Sequence, residues 1–178
     1  MPVPEFQVRR ASRADASGLA ELAARTFRDT YSLISDPVEV EDYIRTNFTP
    51  KLLEQQIADD AGSFLLGSIA NQFIGYAHVR LSVASECVAG PDPIELSRFY
   101  LEQAFHRQGY GSALMRASLR EAQTRNGQTL WLSVYSENTN ARAFYAAMGF
   151  VEIGVRDFPF GGRIYYDPVM SRAIPNDA

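Results

Sequence analysis

At 178 residues and 46% hydrophobic content the chain can bury one substantial core, and nothing in it marks a second domain. Its formal charge of −4 disfavours non-specific nucleic-acid binding, which needs a basic face, while an acidic body tolerates a cationic substrate. No apolar run approaches the roughly twenty residues of a membrane helix, the N-terminus lacks the basic and apolar parts of a signal peptide, and one cysteine with two histidines leaves neither an internal disulfide nor a Cys/His metal cluster, so the expectation is a cytoplasmic protein without a metal.

Phe6-Gln7-Val8-Arg9 alternates apolar and polar as a short strand, and Ser12, with Asp15 three positions on, offers a helix cap. Leu19, Ala23 and Phe27, flanked by Ala16 and Ala20, recur at helical spacing, which predicts a helix that buries this stripe and exposes Glu21, Arg25 and Arg28. Asp36-Pro37-Val38-Glu39 reads as a second helix start, with a cap, a proline at the first helical position and a glutamate to complete a box. Residues 63–69 and 73–81, separated by Ala70-Asn71-Gln72, predict a β-hairpin; Phe73, Ala77, Val79 and Leu81 share one face and His78 is expected half-exposed on the other. Residues 82–93 read as a loop and a candidate substrate-side lid, with Cys87 a small residue inside it.

The strand-like stretch 94–101 runs into His106-Arg107-Gln108-Gly109-Tyr110-Gly111-Ser112-Ala113-Leu114, a glycine turn that opens an amphipathic helix. Two glycines remove the side chains that would hold a ligand off the backbone, and the first helical turn aims unpaired N–H groups outward at its positive end. This reads as an anion cradle suited to a diphosphate, the alternative being a bare turn that holds no ligand. A P-loop is excluded because Gly111 is followed by Ser112-Ala113 and no lysine. A dinucleotide fingerprint is excluded because Leu114 stands where the third glycine belongs and no acidic residue falls near Thr129. The helix buries Leu114, Met115, Ser118, Leu119 and Ala122 and stops at Asn126-Gly127. Leu130, Leu132 and Val134 alternate with Thr129, Trp131 and Ser133 in a further strand; a helix then buries Ala141, Phe144, Tyr145 and Met148, with Gly149 as its stop. Residues 150–158 and 163–170 flank Pro159-Phe160-Gly161-Gly162 as a closing hairpin. Strands and helices alternate in the middle and hairpins occupy the ends, which predicts an α/β fold with a mixed sheet and helices on both faces.

The segment Asn138-Thr139-Asn140-Ala141-Arg142-Ala143-Phe144-Tyr145-Ala146-Ala147-Met148-Gly149-Phe150, taken with the glycine turn, resembles the GNAT N-acetyltransferases. The turn matches the family's Arg/Gln-x-x-Gly-x-Gly/Ala motif, which holds the diphosphate of acetyl-coenzyme A, and the later segment matches Asn-x-x-Ala-x-x-Phe-Tyr-x-x-x-Gly-Phe. His106 stands where the family most often has Arg or Gln. The resemblance covers most of the chain and implies a single GNAT domain over residues 1–178, with a mixed, mostly antiparallel central sheet of about six to seven strands flanked by about four helices. Residues 26–31, the strand 95–101 and the stretch from Trp131 to Met170 further resemble bacterial polyamine N-acetyltransferases of the PaiA type. That implies a small-molecule amine acceptor such as spermidine, although related sequences acetylate protein N-termini, lysines, antibiotics and small amines.

The resemblance also implies roles. Amine acetylation needs a neutral nucleophile, a place for charge on the carbonyl oxygen and a proton for the departing thiolate. Glu95, placed as in family members that use such a glutamate, is the candidate base; the alternatives are a strand-edge glutamate or a contact to the substrate cation. Tyr145 is the candidate acid toward sulfur, its phenol being protonated at neutral pH, and the alternative is a buried helix tyrosine. Main-chain groups of Phe99, Tyr100 and Leu101 would pair with the pantetheine arm like an added strand. Arg107, Gln108, Gly109, Tyr110, Gly111 and Ser112 would hold the diphosphate, and Asn138 and Asn140 would steady the cofactor or cap the helix. Tyr31, Tyr43, Phe158 and Phe160 would line an acceptor pocket or belong to core or dimer contacts. A coenzyme A sensor or inactive scaffold on the same fold, and a homodimer, stay open as alternatives.

Overall fold

Local capping chemistry sets where the helices begin. The computed structural model describes residues 5–175; the Ser12 N–H and hydroxyl both donate to Asp15 Oδ2, at 2.7 and 2.9 Å. The Arg9 guanidinium closes on the same carboxylate as a bidentate pair at 2.8 and 2.7 Å. Strand β1 (Gln7–Arg10) is thereby tied to the entry of helix α1 (Ala16–Tyr31), which buries Leu19, Ala20, Leu22, Ala23 and Phe27 as its spacing requires. Asp36 Oδ1 accepts from the Val38 N–H ahead of α2 (Pro37–Asn47). Thr49 Oγ1 accepts from the Leu52 N–H ahead of α3 (Pro50–Ile57). Helix α3 was not anticipated; with α4 (Tyr110–Thr124) and α5 (Thr139–Ala147) it makes five α-helices among the described residues where about four were expected.

Seven strands form one sheet in the order β1-β2-β3-β4-β5-β7-β6, with β2 at Gly62–Ile69, β3 at Gln72–Arg80, β4 at Pro93–Leu101, β5 at Thr129–Ser133, β6 at Val151–Phe160 and β7 at Arg163–Ala173. The β4–β5 pair is parallel, and β1–β2, β5–β7 and β6–β7 are antiparallel, giving the mixed, mostly antiparallel sheet of the expected α/β fold. The chain groups into two units, one holding residues up to His78 with Arg98–Ala117, the other Val79–Ser97 with Ser118 onward.

In the first unit the β2–β3 hairpin turns through Ala70 and Asn71, with φ of 49° and 66°, a two-residue loop that leaves Gln72 in the strand. Strand β3 is buried from Ile74 to Val79, which corrects the placement of His78. It is 6% exposed, with its ring stacked on Phe64 at 3.9 Å, because alternation marks a polar face only where one side of a sheet meets water. Leu81, expected inside, lies past the end of β3 and is 54% exposed. Tyr43 stacks on Phe27 at 4.5 Å and serves packing. Strands β3 and β4 run so close that a Cβ at Gly75 would lie 2.9 Å from the Tyr100 carbonyl oxygen and 2.8 Å from Leu101 Cδ1.

In the second unit the parallel register runs Pro93↔Thr129, Ile94↔Leu130 and Glu95↔Trp131. Strands β6 and β7 pair from Val151↔Ser171 to Phe160↔Arg163, with a register shift between Glu152 and Gly154. The closing loop is therefore Gly161 and Gly162 alone, at φ of 58° and 69°; Pro159 and Phe160, expected in the turn, belong to β6. Asn126 and Gly149, at φ of 59° and 85°, follow the ends of α4 and α5 as predicted. Of the apolar stripe expected on α5 only Tyr145 is buried. No helix among the described residues is long and apolar enough to cross a membrane.

Two substitutions test this account. The Arg9 guanidinium, supported by the Ser12 N–H and hydroxyl and opposed by burial, holds the Asp15 carboxyl well below the usual carboxylate range. A depressed folded-state pKa gives stability that is present above the unfolded value of about 3.9 and lost as pH falls through the folded one. Asp15→Asn should cost about 1 kcal/mol at pH 7, a figure discounted for the exposed arginine, with the deficit shrinking below pH 4 in urea unfolding. Gly75→Ala should lower stability by about 1–3 kcal/mol, because the atoms it meets include a backbone carbonyl.

Candidate active site

The end of β4 and the start of α4 are joined by a turn that exposes main chain. The Glu102 N–H donates to the Ile74 carbonyl at 2.8 Å, and Arg25 pairs with the Glu102 carboxylate at 2.8 Å, anchoring the exit from β4. The chain then takes a short 3-10 turn at Gln103–Phe105 and passes through left-handed conformations at Arg107 (φ 60°) and Gly109 (φ 87°). The Ala113 N–H makes its helical bond to Gly109 C=O at 3.0 Å, so the N–H groups of Tyr110, Gly111 and Ser112 precede the first carbonyl that α4 can supply. A Cβ at Gly109 would meet nothing within 4 Å, so no described side chain packs over that glycine.

The side chains around this turn are mostly spent on holding it. His106 Nε2 donates to the Leu101 carbonyl at 2.9 Å; a carbonyl only accepts, so the ring carries its proton there. Gln108 Nε2 donates to the Ala104 carbonyl at 2.9 Å. Tyr110 packs on Phe6, with ring centroids 4.9 Å apart, and edge-on to Phe105. Arg107 is exposed. The cradle therefore offers backbone donors with the exposed Arg107 beside them, and His106, in place of the family's Arg or Gln, acts on the turn itself. Phe99, Tyr100 and Leu101 are half-buried in β4, past the point at which the register with β5 ends, at Glu95 and Trp131.

In the second unit Glu95 is 5% exposed and holds two arginines: Arg80 Nε donates to Oε2 at 2.9 Å and Arg156 Nη1 to Oε1 at 3.5 Å. The Arg156 guanidinium lies over the Trp131 ring, 5.9 Å from its centroid. Neither arginine was a candidate from sequence, since they sit on strands distant in the chain, and no motif joins them. A carboxylate has about four lone-pair positions, so two remain on Glu95 for a proton or a water. Asp167, also missed, is 6% exposed and accepts from the Ser136 N–H at 3.2 Å; burial pushes its carboxyl up, the Ser136 bond opposing.

Tyr145 is 7% exposed, edge-on to Phe144 and Phe150 with centroids 5.6 and 5.8 Å away. Asn138 caps α5: its Oδ1 accepts from the Ala141 N–H at 3.1 Å, which leaves its amide nitrogen and one oxygen lone pair for another role. Asn140 is exposed on the first turn of α5. Among the described residues no group of three or more His, Cys, Asp or Glu side chains could hold a metal ion.

The model of the acetyltransferase (GNAT) family matches residues 19–150. The chain belongs to that family. It is an acetyl-CoA-dependent N-acetyltransferase, whose acceptor is an amine. An uncharacterized N-acetyltransferase of Mycobacterium tuberculosis is 30% identical to it over 161 residues, 90% of this chain and 98% of the other. A ribosomal protein bS18 alanine N-acetyltransferase of Haemophilus ducreyi is 37% identical over 65 residues, 36% of this chain and 45% of the other. Among solved structures, the PaiA N-acetyltransferase of Thermoplasma acidophilum, in complex with coenzyme A, has a TM-score of 0.78 at 21% identity, covering 95% of this chain and 99% of that one. At that identity the likeness is one of fold.

Capping and cofactor contact at Asn138 can be separated in this GNAT enzyme. Asn138→Asp keeps the capping oxygen and should leave the unfolding free energy within a few tenths of a kcal/mol, whereas Asn138→Ala should cost about 1 kcal/mol. If the amide nitrogen also touches acetyl-CoA, calorimetry will show both variants binding it more weakly.

Proposed function

We propose that this enzyme moves the acetyl group of acetyl-CoA directly to a primary amine within a ternary complex, as one domain spanning residues 1–178 in the cytoplasm. The observation that carries the reading is the open main-chain cradle ahead of α4, with Gly109 at φ 87° and clear space in front of it. Acetyl-CoA supplies the activated thioester. The N–H groups at residues 107–112 bind its diphosphate at the positive end of the helix. Main-chain groups of Phe99, Tyr100 and Leu101 take the pantetheine arm as an added strand, and one of these N–H groups polarises the thioester carbonyl. Asn138, through its amide, and Asn140 steady the cofactor.

Glu95 takes the ammonium proton, directly or through one water, at a lone pair that neither Arg80 nor Arg156 uses. The nitrogen lone pair then forms the C–N bond, the C–S bond breaks as the Tyr145 hydroxyl gives its proton to the departing thiolate, and the second proton of the acylated nitrogen leaves to water, from which the Tyr145 phenolate is reprotonated. The PaiA resemblance, together with the solved PaiA neighbour, supports a polyamine as acceptor; the charge around Glu95 favours another amine, as argued below.

The test is thiol release from acetyl-CoA against polyamines, amino-terminal peptides, lysine peptides and small amines. Tyr145→Phe should lower kcat by about a hundredfold, the usual scale of general acid catalysis, while its Kd for acetyl-CoA stays within a few-fold. An unaltered kcat would remove Tyr145 from the mechanism. Binding of acetyl-CoA without turnover of any amine would favour a sensor or scaffold.

A further inference from the structure

The cluster around Glu95 has more cation than its buried carboxylate needs. One guanidinium neutralises one carboxylate, yet Arg80 and Arg156 both reach Glu95, one to each oxygen. Glu95 is buried, its side chain 7% exposed, whereas the arginine side chains are 44% and 47% exposed. Each guanidinium has five N–H donors, and among the described residues one on each goes to Glu95 and the others meet no protein acceptor. Asp167 stands opposite Arg156 in the β6–β7 register, but it directs its carboxylate to the Ser136 N–H and makes no ion pair with that arginine. Beneath Arg156 the Trp131 indole is 1% exposed and its Nε1 has no hydrogen-bond partner. The patch is rich in donors, carries net positive charge and is short of acceptors.

We propose that Arg80 and Arg156 form an oxyanion subsite for the acceptor, so that the amine acetylated by this enzyme also bears a carboxylate or a phosphate group. The inference rests on Glu95 as the group that takes the amine proton. A base must lie within hydrogen-bond reach of that nitrogen or one water away, so any amine that reaches Glu95 comes within contact range of two half-exposed guanidinium groups. A planar fork suits a carboxylate or phosphate oxygen pair. A polyamine would instead bring further ammonium charge toward two guanidinium groups, an unfavourable encounter.

Steady-state thiol release with saturating acetyl-CoA tests this with matched acceptors: β-alanine against propylamine, O-phosphoethanolamine against ethanolamine, and spermidine. In the native enzyme the acid-bearing member of one pair should have a kcat/KM higher by about tenfold or more, the scale of one charge-assisted contact, and which pair responds tells carboxylate from phosphate. Arg156→Gln and Arg80→Gln should each collapse that ratio through KM for the acid-bearing amine, and Arg156→Lys should restore part of it. Preference of the native enzyme for spermidine, or equal use of both members of each pair, overturns the subsite without recourse to a variant. So does a loss in the variants that falls equally on acidic and neutral amines, which would make the arginines supports for Glu95 only. Turnover of no amine, with acetyl-CoA binding intact by calorimetry, removes the acetyl-transfer reading itself and the subsite with it.

Discussion

An α-helix cannot satisfy the N–H groups of its own first turn, and in this protein that constraint is turned toward solvent at a place where the chain could have covered it. Tyr110, Gly111 and Ser112 open α4 behind a turn that is left-handed at Arg107 and Gly109. The neighbouring side chains are held against the turn by donating to it, His106 to the Leu101 carbonyl and Gln108 to the Ala104 carbonyl. Much else follows from keeping this turn rigid and uncovered. The bond from the Glu102 N–H to Ile74 fixes the end of β4, and the absence of a side chain at Gly75 lets β3 approach the main chain of Tyr100 and Leu101.

Features decided by neighbours in sequence could be read from the sequence. Ser12 with Asp15, Asp36 with Pro37, the hairpin at Ala70 and Asn71, read one residue too long by including Gln72, and the stops at Asn126 and Gly149 are local devices whose chemistry acts within a few residues. Helix α3 carried the same kind of signal, Thr49 before Pro50, but it has eight residues and buries only Leu53, too little periodicity to announce itself. The reading of His78 failed for a different reason. Alternation reports a strand with one wet face, whereas β3 is covered on both from Ile74 to Val79. The glycine turn and the Phe144-Tyr145 pair were visible because the family writes them as contiguous motifs.

The arginines around Glu95 belong to a third category. Arg80 and Arg156 enter from separate strands, β3 and β6, and meet only because the fold brings both to one carboxylate on β4. Three-body electrostatics of this kind leaves no trace in spacing. It also bears on how an acetyltransferase fold changes acceptor: in the site proposed above the donor end rests on backbone and is indifferent to side-chain drift, while the charge beside the proposed base is set by single residues that can be exchanged independently.

The two rims of the sheet have a bearing on how the protein behaves at high concentration. Strand β1 has only four residues, and β6, at the other rim, is kinked by its register shift after Glu152 and carries Pro159 near its tip together with Arg156 and Asp157 along its length. A proline cannot donate to an incoming strand, a bulge bends the ladder away, and a short rim gives little purchase. Sheet-to-sheet growth between copies of the chain is thereby discouraged at both rims, so an enzyme whose working surfaces must remain uncovered is guarded against self-association into fibrils.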